Sequence, residues 1–262
     1  MTPFQNLLAA FLTAHLVGDF LLQTRRDVET KERTATLIKH GAIHAALILV
    51  FAGTWRVWLP ALIVALTHAA VDYGKQRLTK RGWRAFLLDQ GLHILILLLV
   101  VMLSVQNGWF ETSVWAQLFS EAYFGMLALA SGLIATVSAG AYFVDLAVEP
   151  FLVQIQAGRT GSHRPEERGF EAAERSAGAR LRGLRGGGRM IGQLERALIF
   201  VFVFIQQFSA IGFLIAAKSI FRFGELRERS NRMEAEYIII GTLISFLWAI
   251  VAALLTRLLG GY

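Results

Sequence analysis

Eight histidine and aspartate side chains in the first 93 residues form four pairs with members four positions apart: His15 and Asp19, His40 and His44, His68 and Asp72, Asp89 and His93. Four positions along an α-helix is about one turn, so each pair shares one helix face. Neutral imidazole and carboxylate are ligands for zinc, iron or manganese. Eight ligands exceed one tetrahedral site, so all eight side chains are candidates for a divalent-metal centre with room for two ions. Zinc is the first expectation, with iron or manganese as alternatives. Asp19, Asp72 and Asp89 are also candidate catalytic groups, since an aspartate not fully committed to metal can act as general base. Lys75, three residues after Asp72, is the fourth candidate: it can bind an anionic substrate oxygen, pair with Asp72, or snorkel at a membrane boundary. Gln23 and Gln90 are placed to orient ligands or to make packing hydrogen bonds. The sixth histidine, His163, stands apart in an arginine-rich stretch and reads as solvated.

The elements that must position these pairs are long apolar runs. They cover Phe4–Leu22 and about 37–55, 58–74, 86–105, 122–153, 197–217 and 237–256. Runs of roughly 18 to 25 apolar residues cross about 30 Å of hydrocarbon as helices, where the backbone must satisfy its own hydrogen bonds. The expected fold is therefore all-α, a polytopic transmembrane helix bundle of six or seven spans. Four units follow: a four-helix transmembrane unit over 1–106 carrying the His/Asp cluster, a long or kinked transmembrane helix within 107–156, an Arg-rich cytoplasmic loop over 157–190, and a C-terminal transmembrane pair over 191–262. The first run lacks a basic leading segment and a small-residue cleavage site, so it reads as a span and not as a cleaved signal.

Depth gives a second test. His15 and Asp19 fall near the end of the first run, His40 and His44 near the start of the second, His68 and Asp72 near the end of the third, Asp89 and His93 near the start of the fourth. In an up-and-down arrangement all four pairs lie at one level. Basic residues mark that side as cytoplasmic: Arg25, Arg26, Lys31, Arg33 and Lys39 follow the first run, and Lys75, Arg77, Lys80, Arg81 and Arg84 follow the third. The stretch 106–121 has no Lys or Arg, and Trp55, Trp58, Trp109 and Trp115 lie at the opposite ends of the runs. The N-terminus is expected outside.

The chain is 55% hydrophobic with a net charge of +7, and the arginines sit largely outside the apolar runs. This reads as topology and contact with a lipid bilayer, with no nucleic-acid partner expected. Cysteine is absent, which removes disulfides and thiolate chemistry and fits a bacterial inner membrane. Residues 157–190 hold eight arginines against four glutamates, with Gly186-Gly187-Gly188 near the end. The fifth run is too long for an upright span and contains Ser131-Gly132, Ser138-Ala139-Gly140 and Glu149-Pro150, so it is expected to tilt, kink or break. The C-terminal third conflicts with the charge rule. If 197–217 spans fully, then Lys218, Arg222, Arg227, Arg229 and Arg232 lie outside. Either that run is re-entrant, or the fifth run is a hairpin, or the neighbouring acidic residues offset the charge.

Particular strings resemble a known family. They are His-Leu-Val-Gly-Asp-Phe-Leu-Leu-Gln at 15–23, Lys-His-x-x-x-His at 39–44, His-x-x-x-Asp-x-x-Lys at 68–75 and Leu-Asp-Gln-x-x-His at 88–93. Further strings are Ile-Gly-Gln-Leu-Glu-Arg at 191–196, Ile-Gly-Phe-Leu-Ile-Ala-Ala-Lys-Ser at 211–219 and Glu-Tyr-Ile-Ile-Ile-Gly-Thr-Leu at 236–243. Together they resemble the bacterial membrane family called domain of unknown function 3307, over nearly all of the chain except the 157–190 loop. That resemblance implies a class and no activity. A looser similarity is to membrane-bound metal-dependent hydrolases, which also carry histidines and aspartates at helix ends.

The leading functional expectation is a metal-dependent hydrolase at the cytoplasmic face of the membrane, acting on a lipid phosphoester. The alternatives are a divalent-metal or proton transporter, a di-iron membrane oxidase, and a non-enzymatic metal sensor or scaffold. Against transport, no ladder of ligands continues through the opposite leaflet. Against the oxidase, only one His-x-x-x-His pair occurs. Glu195, Arg196, Lys218, Arg222, Glu236 and Thr242 are secondary candidates. If the C-terminal region folds back to the cytoplasmic side, Lys218 and Arg222 can hold a phosphate.

Overall fold

The computed structural model describes residues 1–30, 33–78, 82–110, 113–120, 122–161, 186–227 and 232–261, and every regular element among them is helical. The fold is an all-α helix bundle. Six helices are long and apolar enough to cross a membrane: Pro3–Leu22, Thr34–Ala52, Trp55–Arg77, Trp83–Gln106, Ala122–Ala157 and Ala235–Gly260. The chain divides into two compact units, one formed by Met1–Ala139 with Ile250–Tyr262, the other by Gly140–Ala249.

The first unit begins with α1 (Pro3–Val17), whose start is fixed locally. Thr2 and Gln5 make a reciprocal capping box, and Pro3 sits where a missing N–H costs nothing. A π-helical turn, Gly18–Leu22, continues α1, and the short α2 (Arg25–Glu29) follows. Asp27 caps α2 through Thr24 and accepts from Lys39 at 2.7 Å; the Lys39 ammonium and the Thr24 donors hold its carboxyl below the usual range. α3 (Thr34–Ala52) ends at Gly53, whose φ of 63° is the left-handed conformation that terminates helices. α4 (Trp58–Leu78), α5 (Trp83–Gln106), the short α6 (Val114–Phe119) and α7 (Ala122–Ile134) complete the unit, with the C-terminal end of the last helix.

α1 is the central helix. It packs against α3, α5 and α7, while α4 packs against α3 and α5. Its Ala9, Ala10 and Ala14 are fully buried, the small side chains that let membrane helices approach closely. Thr13 donates to the Leu127 carbonyl at 3.0 Å, tying α1 to α7. A β-carbon at Gly41 would fall 2.9 Å from the Ala65 carbonyl oxygen, so α3 and α4 cross with backbones nearly touching. Outward, Ile38, Val50, Leu66, Leu88, Leu95 and Leu103 are about half exposed or more. Apolar side chains on the outside and histidines within are the pattern of a bundle solvated by lipid.

The fifth span is one run of helix. α7 passes through a second π-helical turn, Ala135–Ala139, into α8 (Gly140–Gly161), which carries Pro150 in its interior. The expected irregularity at Ser131–Gly140 takes the form of that turn. Of the loop expected over 157–190, residues 162–185, with His163, lie outside the described residues, as do Lys31, Lys80 and Arg81.

In the second unit the apolar run 197–217 is not one helix. α9 (Gly187–Phe204) stops, residues Ile205–Gln207 turn, and α10 (Phe208–Arg227) begins. Gln206 adopts a φ of 58°, and Gln207 N–H bonds back to the Phe202 carbonyl at 2.8 Å, closing α9 without a glycine. Glu195 and Lys218, each about ten residues from the turn, form an ion pair. Collinear helices would hold them about 35 Å apart at 1.5 Å per residue, so α9 and α10 fold back as an antiparallel hairpin. The run 197–217 is therefore a helical hairpin and not one full-length helix. α11 (Arg232–Gly260) closes the chain.

Candidate metal centre

The four pairs converge at one end of the α1, α3, α4 and α5 cluster. His15 reaches in from α1 and Asp19 from the π turn; His40 and His44 come from α3, His68 and Asp72 from α4, Asp89 and His93 from α5. All except Asp19 are buried, and His44 is completely so. Ring centroids lie 4.0 Å apart for His44 and His68 and for His68 and His93, and 4.6 Å for His40 and His44. His15 stands 5.3 Å from His93 and 5.5 Å from His68. The groups of potential ligands overlap: His15, Asp19, His44 and His68; His40, His68 and Asp72; Asp72, Asp89 and His93.

One subset has the dimensions of a metal cage. Asp19 Oδ1 lies 3.1 Å from His40 Nε2, 3.1 Å from His44 Nε2 and 3.3 Å from His68 Nε2. His40 Nε2 lies 3.3 Å from His44 Nε2 and 3.1 Å from His68 Nε2. A tetrahedron with bonds of about 2.0–2.1 Å to zinc has edges of about 3.3 Å. Five of the six edges among these four atoms thus fall at 3.1–3.3 Å. Hydrogen bonding does not account for the crowding. His40 Nε2 has four polar neighbours within 3.3 Å, the fourth being Gln23 Nε2, yet a ring nitrogen offers one proton or one lone pair.

Charge and unsatisfied atoms point the same way. Three carboxyl groups, of Asp19, Asp72 and Asp89, face a single ammonium-bearing side chain, Lys75, whose Nζ lies 2.5 Å from Asp89 Oδ2; carboxyl groups thus outnumber it by two in a largely buried cluster. Such a cluster calls for cations. Asp89 Oδ1, His93 Nε2 and His44 Nδ1 are buried without a hydrogen-bond partner. Asp72 Oδ2 lies 3.8 Å from both His40 Nε2 and His68 Nε2 while also grouping with Asp89 and His93, the position of a bridging carboxylate.

Two features support the ligands from behind. Gly18 leaves space for His44: a β-carbon there would meet His44 Cε1 at 2.4 Å. Gln90 spans the centre, its Nε2 3.3 Å from both Asp19 Oδ2 and Asp89 Oδ2 and its Oε1 3.2 Å from His15 Nε2. The π turn at Gly18–Leu22 re-aims Asp19 and leaves Gln23 facing His40. Nothing in the sequence separated Gln90 from an ordinary packing amide, and glycine at residue 18 was the one available hint of close approach.

Away from this end the cluster is apolar. Leu7 and Phe11 precede His15, Ile48 and Ala52 follow His44, Val64 precedes His68, and Leu97 and Val101 follow His93, all buried in one core. A cavity of about 10 Å³, room for one water, sits against His15, His68 and His93 beside Val64, Thr67, Ile96 and Leu97. The exposed edge is at Asp19 and Lys75, whose side chains are 11% and 35% exposed.

The secondary candidates lie in the other unit. Glu195 and Arg196 are buried; Lys218 pairs with Glu195, and Arg196 Nη1 donates to Ser245 at 3.0 Å. Glu236 and Thr242 belong to α11, and the side chain of Arg222 is outside the described residues.

Residues 7–121 match the model of the family described as protein of unknown function (DUF3307). The match contains all eight ligand candidates; the strings at 191–196, 211–219 and 236–243 lie beyond it. No curated protein and no solved structure matches the chain.

Proposed function

We propose that this membrane-embedded domain is a metal-dependent hydrolase whose His/Asp centre lies at the cytoplasmic face of the bacterial inner membrane and acts on a lipid phosphoester. The observation that carries the metal reading is the set of 3.1–3.3 Å separations among Asp19, His40, His44 and His68. Zinc suits that nitrogen-rich set. A bound divalent metal would supply a hydroxide nucleophile near neutral pH and polarise a phosphoryl oxygen. The chain's own residues do the rest. Asp72 and Asp89 are the carboxylates placed to act as general base, and Lys75, at the exposed edge, is placed to attract an anionic headgroup. Burial of the histidines excludes bulk water.

Orientation follows from charge. With the N-terminus outside, the basic connections after the first and third spans face the cytoplasm. The antiparallel hairpin of α9 and α10 brings the start of α9 and the end of α10 to one end of that hairpin, so the charge conflict that a seventh full span would create does not arise. The apolar core on the far side of the histidines speaks against a transport path, since no buried titratable group follows Leu97 and Val101 along α5. The test is phosphate release from a phosphatidate-type lipid in mixed micelles by zinc-loaded protein. Release lost in His44→Ala and Asp72→Ala supports the reading; release equal in these variants and wild type, or absent with every divalent metal, overturns it.

A further inference from the structure

We propose that the centre is asymmetric: Asp19, His40, His44 and His68 cage one resident metal, while Asp72, Asp89 and His93 take a second, exchangeable divalent cation whose place is held by the Lys75 ammonium until it arrives. The inference rests on the metal reading above.

The two ligand sets differ in kind. The cage offers three imidazoles and one carboxylate, four protein ligands with five of their six separations at 3.1–3.3 Å, a set that suits zinc. The second set offers two carboxylates and one imidazole. Its oxygen-rich character suits a harder ion such as manganese or magnesium, and three protein ligands leave coordination positions open for water and substrate. The closed set is built to retain its ion and the open set to use one.

Asp89 has two faces. Its Oδ2 accepts from Lys75 at 2.5 Å and from Gln90 at 3.3 Å. Its Oδ1 is buried without a hydrogen-bond partner and stands 3.6 Å from His93 Nε2, which is itself buried without one. Two unsatisfied donor atoms of adjacent ligands at that spacing are what a cation of about 2.1 Å bond length would bridge. Lys75 supplies the only positive charge within ion-pair distance of Asp89 among the described residues, apart from His93 if that ring is protonated. The Lys75 side chain is 35% exposed while that of Asp89 is 5% exposed, so the ammonium can leave toward solvent by side-chain rotation. Lys75 and a cation compete for one carboxylate, which makes the open site weak and reversible. Once displaced, the ammonium stands one helical turn beyond Asp72.

The test titrates manganese into zinc-loaded, full-length protein in detergent, read by calorimetry and by loss of the free-manganese resonance signal. Wild type should bind one manganese beside retained zinc. Lys75→Met should tighten manganese at least tenfold with zinc content unchanged, Lys75→Arg should stay near wild type, and Asp89→Asn should abolish the manganese step alone. Zinc retained with no manganese step, or Lys75→Met within twofold of wild type, overturns this proposal and leaves the resident site standing. Absence of retained zinc overturns the metal reading itself.

Discussion

Gly18 touches His44 across the α1–α3 interface: a β-carbon on residue 18 would lie 2.4 Å from Cε1 and 2.7 Å from Nε2 of the imidazole. A backbone position in one segment thus fixes a buried imidazole in another, and it does so inside the π turn that also carries Asp19.

Gly18→Ala should therefore act on the metal before the fold. The ring must shift by tenths of an ångström or more, and overpacking of this kind costs about 1–3 kcal/mol. Zinc affinity, measured by competition with a chromophoric chelator, is expected to fall at least tenfold while helical content is unchanged. Wild-type affinity in this variant would mean that His44 is not a ligand in its present pose.

The α9–α10 hairpin makes a stability prediction. Removing one partner of the Glu195–Lys218 pair leaves a charge among apolar helices, and breaking such a buried pair costs about 3–5 kcal/mol. Lys218→Met should lower the melting temperature of detergent-purified protein by several degrees. The double variant Lys218→Met with Glu195→Gln should recover most of the loss. Additive losses in the double variant would contradict the pairing.

Because the chain has no cysteine, single cysteines report sidedness cleanly. Thr54→Cys should label from outside intact spheroplasts. Arg84→Cys, Gly186→Cys and Glu236→Cys should label only after permeabilisation. Outside labelling at Glu236→Cys with protection at Gly186→Cys would require a full crossing between them and would contradict the hairpin orientation.

How much of this was legible in the chain depends on which geometry is universal. The pairing of His68 with Asp72 or Asp89 with His93 follows from helical repeat alone, and the common level of the four pairs follows from where the apolar runs begin and end. The partition of the eight ligands was not legible, because it depends on which helices touch: α1 lies against α3, α5 and α7, and only that contact brings Asp19 to His40 and His44. The turn at Ile205–Gln207 was hidden because Gln206 takes a left-handed conformation with no glycine or proline to announce it. Pro150 misled in the opposite sense, since α8 continues past it to Gly161.

A further prediction concerns Gln90. Its carboxamide joins Asp19, Asp89 and His15, so Gln90→Ala should loosen both ligand sets at once, lowering affinity about 10–100-fold, the range typical for groups that orient ligands. Gln90→Glu would add a carboxylate beside two others and should raise metal affinity over Gln90→Ala. Equal affinities for all three proteins would assign Gln90 to packing only.

The central claim is that Asp19 of the π turn continuing α1, His40 and His44 of α3 and His68 of α4 hold one metal ion, and elemental analysis of the detergent-purified chain tests it most directly. At least one zinc per chain is expected after extensive dialysis, with Asp19→Asn and His44→Ala each falling below one tenth of that content while remaining helical. Metal at background levels in the wild-type chain, or undiminished in both variants, would contradict the account.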